Sequence, residues 1–255
     1  MFYYEAYQAH ADAVAPVRWM ARVAERMLNQ QPFPLLAHHP LVRSAAAACE
    51  LVARAGMWHE RPDFRIAAVE IAGERIPVKE RVKARHPFCN LLHFEKQAET
   101  EQPRVLLVAP LSGHFATLLR GTVEQLLLDH DVYITDWINS RNVPMLHGRF
   151  DLDDYIDLIA HYIRLLGPDL NVVAVCQPSV PALAAVALMA ADGEPAQART
   201  LTLMGGPIDP RVNPTTPNKL ATSRPLSWFE RNVIATVPPR YDGAFRRVYP
   251  GFLQL

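Results

Sequence analysis

All ten histidines of this 255-residue chain lie within its first 161 residues, and none follows. A nucleophile placed in the last third therefore has no later imidazole to act as its general base. Cysteine is scarce too. The three present, Cys49, Cys89 and Cys176, are odd in number and widely spaced, which excludes a disulfide framework and points to a reducing, cytoplasmic setting. Neither charge sign is in excess, since 26 Lys and Arg balance 26 Asp and Glu. No global field then draws nucleic acid or an anionic membrane. Apolar runs are short: Val180–Ala191 covers about three turns, too little to span a bilayer. The start, Met1-Phe2-Tyr3-Tyr4-Glu5, lacks the basic and apolar regions of an export signal. No glycine-rich phosphate loop occurs, and His38-His39 and His86…His93 lack the partners of a zinc site. No cofactor and no metal is expected.

What is present is half apolar residues, enough to build a sizeable core. Residues 1–60 read as a helical arm. Val14, Val17, Met20, Val23, Met27 and Leu28 recur at helical spacing, and an alanine-rich helix follows over about 41–55. The arm packs on a main domain or docks on an apolar particle; spacing leaves both open. Residues 64–71 and 76–82 read as strands around the turn Ala72-Gly73-Glu74-Arg75, and 89–94 as a third. Arg104–Pro110, Asp131–Trp137, Leu170–Val175 and Thr200–Met204 are apolar runs alternating with helical stretches, one of them Asp151–Leu166 capped by Asp151. Strand and helix alternating over 104–204 predict an α/β fold with a doubly wound, mostly parallel sheet. From Gly205 on, prolines and aromatics replace this rhythm, as at the start of a cap. The expected organisation is an arm over 1–60, an α/β core over 61–204 and a C-terminal region over 205–255.

Cys176 ends the Leu170–Val175 run and opens the helix at Gln177-Pro178-Ser179-Val180-Pro181. Strand, sharp turn and helix is how α/β-hydrolases lift a nucleophile above a parallel sheet. Backbone N–H groups at the helix start bind a developing oxyanion, and the positive helix end favours an anionic sulfur. Glycines usually sit two residues before and after such a nucleophile; here Ala174 and Pro178 take those places. Gln177 keeps its N–H as one oxyanion donor, and the second is expected near Ser112 or Gly113, after the 104–110 strand. Position alone also allows Cys176 to be a buried core cysteine, the reading preferred for Cys49 and Cys89.

The turn Val175-Cys176-Gln177-Pro178-Ser179, the loop 109–115 (Ala-Pro-Leu-Ser-Gly-His-Phe) and the segment 205–211 (Gly-Gly-Pro-Ile-Asp-Pro-Arg) resemble intracellular polyhydroxyalkanoate depolymerases. The likeness runs from the Met-Phe-Tyr-Tyr start to the final Tyr-Pro-Gly-Phe-Leu-Gln-Leu. It implies an α/β-hydrolase-like fold, poly(3-hydroxybutyrate) granules as partner and substrate, and Cys176 as attacking thiol. It also implies a truncated chain. Family members continue further and keep their acid and histidine there, so these 255 residues are expected to be inactive. Asp209 follows the last strand and is the weakest candidate for the acid, being equally a turn former. His114 is expected to orient substrate or close its loop, while Asp136 and Asp154 read as ordinary strand-end and helix-surface acids.

Two alternatives stay open. A granule-binding remnant, or an incomplete gene copy, would explain the missing histidine. A polyhydroxyalkanoate synthase shares the cysteine chemistry, but Ala174 and Pro178 argue against it. Self-association is left open as well.

Overall fold

The computed structural model describes residues 3–30, 39–56, 61–97, 101–111 and 115–251. They form two compact units that divide after Glu60. The first holds two helices, α1 (Tyr3–Asn29) and α2 (Pro40–Arg54), packed on each other. Helix α2 starts where its sequence dictates. Pro40 occupies the first turn, which needs no N–H from it, and His39 Nδ1 accepts the Leu41 N–H.

The second unit is built on a seven-stranded sheet: β1 (Ala68–Ile71), β2 (Glu74–His86), β3 (Cys89–Lys96), β4 (Arg104–Val108), β5 (Asp131–Trp137), β6 (Asn171–Val175) and β7 (Thr200–Met204). The spatial order is β1-β2-β3-β5-β4-β6-β7. The first three strands join antiparallel, and β5, β4, β6 and β7 run parallel. Helices α3 (Arg120–Leu126), α4 (Leu152–Leu166) and α5 (Ser179–Ala191) are the crossovers. Along β4 the side chains alternate between two cores. Leu106 and Val108 join the cluster with Tyr155, Ile159 and Ala182, whereas Val105 and Leu107 join the one with Val123 and Leu127. The sheet is thus covered on both faces, as a doubly wound α/β fold requires. The α/β class read from the sequence is the class the sheet shows.

Helix α4 begins as expected, with the Asp151 carboxylate accepting from the Asp153 and Asp154 N–H groups and Asp154 reaching back to the Asp151 N–H. The β1–β2 turn is two residues, Ala72 and Gly73, both left-handed. The expected strand over 64–71 is shorter in the structure. Arg65 takes φ +53, which breaks the extension, although Phe64 and Ile66 stay buried. Strand β2 instead runs longer than 76–82, with a shift of register between Val82 and Ala84. Beyond β7 come α6 (Thr216–Ser223), α7 (Leu226–Asn232) and a two-stranded ribbon, β8 (Ala235–Thr236) with β9 (Arg247–Val248). Among the described residues no helix is long and apolar enough to cross a membrane.

Candidate active site

Cys176 stands one residue past β6, at the carboxyl ends of the parallel strands, with its side chain exposed. Its φ is +67, a conformation that costs a residue bearing a Cβ on the order of 1–3 kcal/mol. Three contacts hold it there. The Cys176 N–H donates to Met204 O at the end of β7 (2.7 Å), the Cys176 carbonyl accepts the Ser179 N–H (3.1 Å), and Pro178 accepts from Ala182 as α5 begins (2.9 Å). Buried Ser179 hangs beneath the turn, its Oγ donating to Ala174 O (3.4 Å). The Gln177 N–H meets no acceptor among the described residues, which leaves it available to an incoming oxygen. Pro178 and Pro181 fit because N–H groups in a helix's first turn have no partner in the helix. Small Ala182 and Ala185 let α5 lie close on the sheet.

The loop expected to give the second donor leaves β4 beside this turn. Val108 pairs with Ala174 in the parallel register, so Pro110 and Cys176 lie two residues beyond on adjacent strands. Both polar groups of buried Ala109 are tied to β5: its N–H donates to Thr135 Oγ1 (2.9 Å), and its carbonyl accepts from Trp137 Nε1 (2.8 Å). The loop's root is therefore fixed. Ser112, Gly113 and His114 themselves lie outside the described residues.

Asp209 is held by its own loop. Its carboxylate accepts from Arg211 Nε and Nη2 (2.8 Å each) and from the Arg211 N–H (3.1 Å). The Arg211 side chain holds its pKa below the ordinary carboxylate value. Asp136 is buried at the end of β5 and bonded to Arg61 Nε (2.9 Å), which also reaches Glu80. Burial pushes the Asp136 carboxyl up despite that partner. Burial likewise depresses the pKa of His86, helped by His161 and His147 and opposed by Asp154. Cys89 is fully buried and its thiol is pushed far up by desolvation, so it is inert; Cys49 is half-buried.

The residues that pin the C-terminal segment escaped the sequence reading. Arg246, 6% exposed, donates to the carbonyls of Val143 (Nε, 3.1 Å), Pro144 (Nη2, 2.7 Å) and Gly148 (Nη1), and stacks on the Phe88 ring at 4.9 Å. Gly243 donates to Arg141 O (2.8 Å). A Cβ on Gly243 would lie 2.6–2.8 Å from three carbonyls of residues 140–143. The 235–248 ribbon is thereby tied to the loop that follows β5, at the same end of the sheet as Cys176. Nothing local marks Arg246. The Gly205-Gly206 pair directly after a strand is the one signal of close backbone approach that the sequence displays.

A concavity of about 660 Å³ lies elsewhere. Arg104, Asp131, His93 and Lys96 line it at the amino ends of β4 and β5, the opposite edge from Cys176. No described group of three His, Cys, Asp or Glu side chains is arranged to hold a metal ion.

Residues 205–255 match the family model described as PHB de-polymerase C-terminus. The sequence-based likeness to polyhydroxyalkanoate depolymerases is thus met in that segment. No curated protein matches the chain. Among solved structures, an alpha/beta hydrolase enzyme from the metagenome of Lake Arreo, Spain, crystallised as a serine-to-alanine mutant, matches at 13% identity and TM-score 0.37, over 75% of this chain and 58% of its own. A thermostable esterase from Pseudomonas putida matches at 17% identity and TM-score 0.34, over 69% and 54%. The chain spans little more than half the length of these structures. The fold class rests on the chain's own strand order.

Proposed function

We propose, from the match of residues 205–255 to the PHB de-polymerase C-terminus model, a thiol esterase acting on polyhydroxyalkanoate, with Cys176 as nucleophile. The observation that carries this reading is the exposed Cys176 held at φ +67 on a strand-to-helix turn. Backbone strain at an exposed nucleophilic group persists where the surroundings impose it, and it clusters at reactive sites. The sulfur attacks the ester carbonyl carbon, and a C–S bond forms as the π electrons move to oxygen. The Gln177 N–H, with a donor from Ser112 or Gly113, holds that oxyanion. Collapse of the intermediate expels the chain's alkoxide, which takes a proton, and water then hydrolyses the thioester.

Both proton transfers need an acid–base group. All ten histidines precede Cys176, and Asp209 is occupied by Arg211. In this reading the 255 residues acylate but turn over little. The setting is cytoplasmic, at the surface of storage granules. The pairing of Asp209 with Arg211 also favours a second reading, a granule-binding protein without catalysis.

Incubation with an activated butyrate ester, followed by intact-mass and peptide analysis, separates the two. A single butyryl group on Cys176, lost in Cys176→Ala, supports the esterase. Polymer binding with no acylation of Cys176 supports the binding protein.

A further inference from the structure

The turn at Cys176 lacks the flanking glycines that usually give a nucleophile its space, yet it is no less crowded. A Cβ placed on Gly206 would lie 2.1 Å from both Cβ and Oγ of Ser179 and 2.7 Å from the Cys176 carbonyl oxygen. Neither neighbour can swing aside. Ser179 is fully buried at the first position of α5, and the other contact is backbone. The end of β7 thus grips the nucleophile from both sides: Met204 O takes its N–H, and Gly206 lies against its carbonyl. The carbonyl matters because it shares one planar peptide unit with the Gln177 N–H. Any push on the Cys176 oxygen tilts the Gln177 N–H by the same rotation.

We infer that Gly206 is a positioning residue for the oxyanion donor: it supplies from the neighbouring strand the space that Ala174 and Pro178 deny within the turn, and so fixes the aim of the Gln177 N–H. This rests on the reading of Cys176 as an acylating nucleophile. Gly205 plays a different part; it takes φ +63, and a Cβ there would meet nothing within 4 Å. The requirement at Gly206 is therefore steric, set by the buried Ser179 side chain and by the Cys176–Gln177 peptide.

Two reactions of the same thiol test this. Alkylation by iodoacetamide is a direct displacement that forms no oxyanion, whereas acylation by an activated ester does. In Gly206→Ala, acylation of Cys176 is expected to slow by about tenfold to 10²-fold, approaching the loss of an oxyanion donor. Alkylation of Cys176 is expected to change by less than about threefold, since no donor is aimed at its transition state. Cys89, buried in the core, reports folding by staying unlabelled. Should the alanine variant fail to fold, Gly206→Ala with Ser179→Gly removes the side-chain clash and keeps the carbonyl contact. The same split is expected there. Acylation and alkylation falling together, or acylation unchanged in both variants, would overturn the positioning role. A wild-type Cys176 that alkylates but never acylates would overturn the nucleophile reading, and this role with it.

Discussion

Replacing Arg246 by methionine removes one guanidinium from beneath the C-terminal ribbon and strands three carbonyls at once. A hydrogen bond to a charged group contributes roughly 1.5–3 kcal/mol, so three set a ceiling of roughly 5–9 kcal/mol. The real loss is smaller. Met145 and Leu146, beside those carbonyls, are already exposed, at 52% and 82%, so the loop regains water as soon as the ribbon lifts. We expect about 3–4 kcal/mol, near the low end for stripping a partner from a buried charge network. The loss is local, because the ribbon can open while the sheet stays folded. The assay is therefore amide exchange at Gly243, Val237 and Phe245, whose N–H groups bond to Arg141, Arg246 and Val237 carbonyls. At about 1.4 kcal/mol per decade, exchange there should quicken by about 10²- to 10³-fold. Arg246→Lys keeps the charge but not the planar fork or the flat stack on Phe88, and should recover about half of the loss. Exposed Arg211→Ala should leave these amides within about 0.5 kcal/mol of wild type. A change below tenfold in Arg246→Met would refute the claim that this side chain holds the segment down.

Cys176→Gly should gain about 1 kcal/mol in denaturant stability, because glycine relieves the left-handed backbone while removing the thiol; a loss of stability would contradict the strain. Gly243→Ala should cost about 1–3 kcal/mol by local exchange or limited proteolysis, since its Cβ meets three carbonyls that cannot rotate away. For Asp131, burial pushes the carboxyl up, but the His93 hydrogen bond and charge, the Tyr133 hydroxyl and Lys96 outweigh it and hold the pKa below the ordinary carboxylate value. A depressed carboxylate stabilises above its unfolded pKa and loses that contribution as pH falls through the folded one. Denaturation midpoints from about pH 5 to about pH 2 should therefore drop more steeply in wild type than in Asp131→Asn; equal slopes would show that the pair contributes nothing.

The parallel strands were legible because each is a continuous apolar run between turn residues, and burial on both faces leaves no other use for such a run. Helix α4 was legible from Asp151 because its cap acts within four residues. Strand β1 was misjudged over 64–67 because Phe64 and Ile66 satisfy a core without being extended, a tertiary choice that alternation cannot register. The place of Cys176 on a strand-to-helix turn followed from the 170–181 pattern alone. The grip around it did not, since Met204, Gly206 and Ser179 meet only once β7 is laid beside β6. Arg246 was hidden for the same reason: its partners are about a hundred residues away and are backbone carbonyls, which carry no side-chain signature.

That separation also has a meaning in time. Val143 and Arg246 are 103 residues apart, and a ribosome adding about 5–20 residues per second needs roughly 5–20 s to pass from one to the other. During that interval β6, α5 and β7 can assemble, while the loop after β5 still has no guanidinium to gather its carbonyls. The mouth of the sheet is fastened only after β6, α5 and β7 have been made. A nascent chain stalled shortly before residue 246 would therefore carry its thiol on a formed turn beside an unfastened loop, and proteolysis of stalled chains should cut first between residues 143 and 148.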